Sequence, residues 1–127
     1  MNYLLVAVGS AFGGVARYWC SGVAARLIGE WFPFGTLIVN VIGSFIIGAF
    51  AALSATDGPF LIRPEWRIFV MVGICGGYTT FSSFSLQTFA LMQDGEWFRA
   101  GANCVASVVL CILAVWLGYI AVSAAFR

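Results

Sequence analysis

Residues 73–89 read GICGGYTTFSSFSLQTF. They sit inside a longer apolar stretch, from about Trp66 to Met92, that is long enough to cross a bilayer. Gly76-Gly77 followed by Tyr78-Thr79-Thr80 is a poor helix sequence. Glycine pairs and β-branched residues unwind a helix, so the spacing predicts a membrane span broken near its middle. Broken helices at membrane depth expose carbonyls and N–H groups, and these commonly bind ions. Beyond the break, Phe81 and Phe84 lie i, i+3 and project to one side. Ser85 and Thr88 continue that face, with Ser82 and Ser83 between.

The rest of the chain agrees with a membrane setting. Of 127 residues, 62% are hydrophobic and only 9% charged, against about 25% in an average soluble domain. The mean hydropathy is +1.01. A soluble fold of this size has no interior large enough for so much apolar surface. The net charge of +1 gives no electrostatic footprint for nucleic acid. Histidine is absent, which excludes His-based metal sites and His acid–base chemistry. Cys20, Cys75, Cys104 and Cys111 form no C-x-x-C pair, and each lies in an apolar stretch as an inert small hydrophobe.

A bilayer core of ~30 Å takes about 20 apolar residues per helix. Four stretches qualify, at about 3–27, 35–55, 66–92 and 98–126. They predict an all-α integral membrane protein of one four-helix transmembrane domain. The first is expected to be a span that stays and not a cleaved signal peptide, because it lacks a basic n-region and runs beyond an h-region. Turn and charge signals fall between the spans, at residues 29–33, 56–59 and 93–96. Trp31, Trp66 and Trp97 lie at span ends, as in an aromatic belt.

An even number of spans puts both termini on one side, with Arg63, Arg67 and Arg127. Arg26 and Arg99 lie on the other. This near balance leaves two readings open, a weak positive-inside signal or dual topology with antiparallel pairing. Small residues such as Gly9, Gly13, Gly43, Ser44 and Gly48 let helices approach closely in lipid. Four short helices cannot enclose a wide pore alone, so an oligomer is expected.

Polar residues within spans are costly and mark function. In the second span Thr36, Asn40 and Ser44 recur at i, i+4, i+8, and in the fourth Asn103, Ser107 and Cys111 do the same. One such stripe serves helix packing as readily as transport. Two stripes beside a broken helix favour a polar path. Arg17 lies inside the first span with no acidic residue in any span core, so it must meet water, carbonyls or an anion. The missing carboxylate argues against a proton-coupled cation carrier. An aromatic ring has a positive edge. Ring edges can therefore solvate a small anion without binding it too tightly to leave.

On GGVARYW in the first span, GTLIVNVIGSFIIG in the second, GGYTTFSSFS in the third and the polar fourth span, the chain resembles the Fluc (CrcB) fluoride channels. These are small four-span proteins that assemble as antiparallel dimers with two pores. The resemblance covers essentially the whole chain. It implies a passive channel that exports fluoride from the cytoplasm across the cell (inner or plasma) membrane. It implies that Phe81 and Phe84 flank the fluoride path, that Asn40 donates to fluoride, and that Ser82, Ser83 and Ser85 are hydroxyls near the path. Thr36 and Ser107 belong to the polar stripes beside it, and Arg17 matches a family arginine. The carbonyls of Gly76 and Thr79 are implied ligands of a structural sodium ion at the dimer centre, four oxygens from two chains. Three positions depart from the pattern. Gln87 stands where the family commonly has Glu, Cys111 where it has Ser, and Val115 where it has Thr. A thiol donates weakly and valine not at all, so the track is expected to conduct more slowly. A subunit of a two-gene heterodimer is the other possibility, while the balanced Arg flanks favour a homodimer.

Two further readings come from other classes. A small multidrug-type transporter shares the four spans, but the absent carboxylate speaks against it. A non-transporting structural subunit would form dimers without flux. An enzyme has little support, with no nucleophile–base pair in sight.

Overall fold

The computed structural model describes residues 1–55 and 57–126. Thr56 of the second turn signal and Arg127 of the flanking charges lie outside the described residues. The described residues form helices and no strand. Helix α1 spans Asn2–Ile28 and α2 spans Phe34–Leu53. A short α3, Pro64–Arg67, runs into an eight-residue π-helical segment, Ile68–Cys75, and then into α4, Gly76–Tyr78. Helix α5 spans Phe81–Gln93 and α6 spans Trp97–Ala125.

The ends follow local chemistry. Gly29 adopts φ 104° after α1 and Gly95 φ 76° between α5 and α6, turns that a side chain would strain. Pro33 precedes α2, and Pro64 takes the first turn of α3, where its missing N–H leaves no bond unmade. Arg67 donates from Nη1 to the Ser54 carbonyl at 2.8 Å, satisfying the C-terminal end of α2.

Three stretches, Phe34–Leu53, Pro64–Gln93 and Trp97–Ala125, are long and apolar enough to cross a membrane. Helix α1 has the length, but Arg17, Ser10, Ser21 and its glycines dilute its apolar character, and it falls outside that group. Large apolar side chains cover the outside of the bundle, among them Phe12, Leu86 and Ile112. The interior is made largely of small residues, and among the described residues the largest side chains wholly enclosed are Val39 and Asn103. This is the pattern of a bundle in lipid, where close backbone approach replaces a large apolar core.

The glycines carry that approach within the chain. The α1 pair Gly9 and Gly13 faces Gly73 and Gly77, a second G-x-x-x-G. A Cβ built on Gly13 would stand 2.2 Å from the Ile74 carbonyl oxygen, and one on Gly77 2.7 Å from that of Ser10. Helices α2 and α6 form the most extensive pairing. They meet at Gly48, against the Val115 carbonyl, and at Gly118, against that of Phe45.

At one end of the bundle the α1–α2 connection is tied to the start of α6. The Arg99 guanidinium lies 5.3 Å from the Trp31 ring centroid, and its Nη1 donates to the Trp31 carbonyl at 3.4 Å. The Arg99–Glu96 pair, at 3.7 Å and well exposed, adds little.

Candidate functional site: two cavities meeting at an extended pair

Between α4 and α5 the chain leaves the helix for two residues. Thr79 (φ −82°, ψ 159°) and Thr80 (φ −151°, ψ 122°) are extended. Gly76 and Gly77 are themselves helical. The backbone opens at the β-branched residues, and the glycines serve close approach instead. Gly43 on α2 provides the notch that admits this turn, since a Cβ there would stand 2.3 Å from Thr79 Cγ2.

Leaving the helix frees backbone groups that must find partners. The Thr79 N–H and hydroxyl both donate to the Cys75 carbonyl, at 3.0 and 2.9 Å. The Thr80 N–H, which an unbroken helix would give to Gly76, donates instead to Asn40 Oδ1 at 2.8 Å. In return Asn40 Nδ2 donates to the Thr80 carbonyl at 3.0 Å. Asn40 thus clamps one residue from both sides, as a neighbouring β-strand would. Its amide nitrogen keeps a second N–H. Thr80 also caps α5, its Oγ1 accepting from the Ser83 N–H at 3.2 Å. Arg17 reaches the same region, where Nε donates to the Gly77 carbonyl at 3.2 Å. A backbone carbonyl is therefore the partner of this charge, and no acidic side chain pairs with it among the described residues.

Two cavities flank the turn. One, of about 470 Å³, is lined by Asn40, Ser44, Gly76, Thr79, Phe81, Phe84, Ser107 and Cys111, among others. It contains no charged side chain. The other, of about 830 Å³, holds Arg17, Thr36, Ser83 and Gln87. It reaches Glu30, Trp31, Asp94 and Glu96 at the end where the α1–α2 and α5–α6 connections lie. Thr80 lines both. The rings of Phe81 and Phe84 stand 5.3 Å apart, tilted by 47°, with Phe81 77% exposed on the outside of the chain.

Eleven side chains and two carbonyls were singled out by the sequence, and the fold distributes them unevenly. Asn40, Phe81, Phe84, Ser107, Cys111, Gly76 and Thr79 share the smaller cavity, while Arg17, Thr36, Ser83 and Gln87 share the larger. Ser82 and Ser85 line neither. The Ser82 hydroxyl lies 3.3 Å from Thr80 Oγ1, and Ser85 donates back to the Phe81 carbonyl at 3.0 Å. Val115 meets α2 at Gly48. Gln87 Oε1 is buried without a hydrogen-bond partner. The Ser107 hydroxyl, whose single proton goes to Asn103 Oδ1 at 3.4 Å, presents lone pairs to the cavity in this arrangement. The sequence reading placed Thr80 in the break and Gly43 among the residues of close helix approach, but missed that Thr80 caps α5 and that Gly43 receives Thr79. A Thr three positions before Ser83 at a helix start was the available signal for the first. The partner of the second left no local mark.

Among the described residues no group of three or more His, Cys, Asp or Glu could hold a metal. The donors available for a cation at the turn are carbonyls. Gly76 has lost its helical partner to Asn40, and Thr79 is extended.

Comparison with known proteins gives this geometry its relatives. The chain is 60% identical over 121 residues to the "Fluoride-specific ion channel FluC" of Paramagnetospirillum magneticum, covering 95% of this chain and 94% of that protein. It is 57% identical over 120 residues to the protein of the same name from Rhodospirillum rubrum, covering 94% and 93%. It is also 53% identical over 118 residues to "Fluoride-specific ion channel FluC 2" of Rhodopseudomonas palustris, covering 93% and 90%. The family described as "CrcB-like protein, Camphor Resistance (CrcB)" matches residues 4–119. A match over nearly the whole chain, through every helix described above, makes this protein a member of the CrcB family.

Proposed function

We propose that this protein is a passive, fluoride-selective channel that exports fluoride from the cytoplasm and so reduces its toxicity. The observation that carries the reading is the smaller cavity. It brings two phenylalanine rings, the Asn40 amide and the Ser44 hydroxyl around one uncharged space, in a chain 60% identical to a fluoride channel. A small anion stripped of water needs N–H and O–H donors and ring edges, weak enough to let it go. Asn40 contributes the N–H that Thr80 leaves free. Arg17, in the larger cavity, draws anions toward Thr80 without standing in the narrower space.

Four membrane crossings follow if α1 joins the three more apolar stretches, with Arg17 held by the Gly77 carbonyl and the third crossing interrupted at Thr79–Thr80. The exposed Phe81 and the open cavity beside it leave room for a second copy to complete the path. The near-equal Arg flanks suit an antiparallel pair in the inner or plasma membrane. A structural sodium ion at the centre of that dimer would take the Gly76 and Thr79 carbonyls of each chain. Its role would be to hold the two turns together.

Purified protein in liposomes loaded with potassium fluoride, treated with valinomycin, tests the reading. The expected result is rapid fluoride release, with none from chloride-loaded vesicles and no coupled ion. Phe81→Ile and Phe84→Ile are expected to reduce release to that of empty vesicles. Absence of wild-type release, restored by Gln87→Glu with Cys111→Ser, would mean that the departures disable the pore. Release restored only by a second subunit would mean a heterodimer. Proton-coupled drug efflux would overturn the channel in favour of a transporter.

A further inference from the structure

Asn103 is the most deeply enclosed polar side chain among the described residues, 2% exposed, and it lines neither cavity. A buried amide in lipid is kept only where its partners are fixed. Its partners form one directional chain from α6 to α5. The Ser107 hydroxyl donates to Asn103 Oδ1 at 3.4 Å. Asn103 Nδ2 donates to Thr88 Oγ1 at 2.9 Å. The Thr88 hydroxyl donates to the Phe84 carbonyl at 2.8 Å. Each hydroxyl has one proton, so the direction is determined. Thr88 gives its proton to Phe84 and can only accept from Asn103. Thr88 is 5% exposed and Ser107 9%, so water does not compete freely for these bonds.

The chain ends on the backbone of the residue whose ring stands in the smaller cavity. Elsewhere α5 turns Phe81, Ser82, Ser85, Leu86 and Phe89 outward, away from the other helices of this chain. The N-terminal end of α5 is fixed by Asn40 through Thr80. One turn and more beyond, the tether to α6 is the polar contact that sets the rotation of α5, and so the direction of the Phe84 ring. We propose that Asn103 and Thr88 are positioning residues that hold Phe84 in register with the ion path through the Phe84 carbonyl. This rests on the channel reading above.

Thr88→Val removes the hydroxyl with little change of volume, and Asn103→Leu removes the donor and acceptor with the same branching but a bulkier side chain. Each is expected to slow fluoride release per folded protein about tenfold. The double variant is expected to be no slower than the worse single one, because both act on the same chain of bonds. Thr88→Ser keeps the hydroxyl and is expected to stay within about twofold of wild type. Hydrogen exchange in residues 81–89 of the intact protein, expected to quicken in both slow variants, reads the tether independently of conduction. Thr88→Val leaves Asn103 in place and serves where Asn103→Leu does not fold. A lower melting temperature with unchanged release per folded protein would overturn the proposal and reduce the tether to a structural bond. A wild type that releases no fluoride, even with Gln87→Glu and Cys111→Ser or a second subunit, would instead overturn the channel reading, and unchanged exchange in Asn103→Leu and Thr88→Val would overturn the tether whether or not the protein conducts.

Discussion

Asn40→Leu is expected to slow fluoride release about a hundredfold or more, a barrier change of about 2.7 kcal/mol. Leucine keeps the branching of asparagine and is the larger side chain, so no cavity opens and the effect comes chiefly from lost hydrogen bonds. Two bonds disappear, from the Thr80 N–H at 2.8 Å and to the Thr80 carbonyl at 3.0 Å. The Thr80 N–H then faces an apolar side chain in a part-buried setting, where an unsatisfied donor costs up to about 1–3 kcal/mol. The extended turn has no strand neighbour to replace Asn40. The N–H proposed for the anion goes at the same time. Asn40→Asp separates the two losses. It retains an acceptor for the Thr80 N–H but places a carboxylate in a cavity with no other charge. Release by Asn40→Asp is expected to vanish while its melting temperature stays above that of Asn40→Leu. If Asn40→Leu conducts like wild type, Asn40 neither shapes the turn nor serves the anion.

The helices were legible in the sequence because their signals are local. Apolar runs bounded by Gly29-Glu30-Trp31-Phe32-Pro33 and by Gln93-Asp94-Gly95-Glu96 place the helix ends within a turn of where they fall. The i, i+3 spacing of Phe81 and Phe84 likewise implied neighbouring rings, and they stand 5.3 Å apart. Periodicity could not reveal which partner each polar group takes. Asn103 and Ser107 share a helix face, yet one is enclosed against Thr88 and the other borders a cavity, because α5 covers only part of that face. Nor could it show that Gly76 and Gly77 remain helical while Thr79 and Thr80 extend. That outcome depends on Asn40, some forty positions away in sequence, offering its amide to Thr80. The π-helical turn over Ile68–Cys75 also leaves no local mark, since its composition suits an ordinary apolar helix. Gly9 and Gly13 announced close packing without naming the partner. Their G-x-x-x-G pattern serves equally between protomers, and here it closes on Gly73 and Gly77 of the same chain.

That packing makes the second large effect a contrast between adjacent residues. Gly13→Ala is expected to destabilise the protein by about 3 kcal/mol, while Gly14→Ala is expected to be neutral or to stabilise it by up to about 1 kcal/mol. Both substitutions add one methyl group to the same helix, and helix propensity alone favours both. The difference lies in what the methyl meets. At Gly13 it would stand 2.2 Å from the Ile74 carbonyl oxygen and 2.7 Å from the Tyr78 nitrogen, both backbone atoms that cannot rotate away. At Gly14 nothing lies within 4 Å. Relief at Gly13 requires α1 to move off the π-helical segment and α4. The Arg17 bond to Gly77, already 3.2 Å, lengthens with that movement and exposes an unpaired charge inside the bundle. The same shift pulls the extended turn from the Gly43 notch, where Thr79 sits against α2, and loosens the Asn40 clamp. Gly13→Ala protein that survives purification should therefore also release fluoride more slowly, whereas Gly14→Ala should match wild type. Thermal unfolding of the two variants side by side decides the matter. Equal melting temperatures would mean that α1 does not lie against residues 73–78 at the distance described, and the route by which Arg17 reaches Gly77 would fall with it.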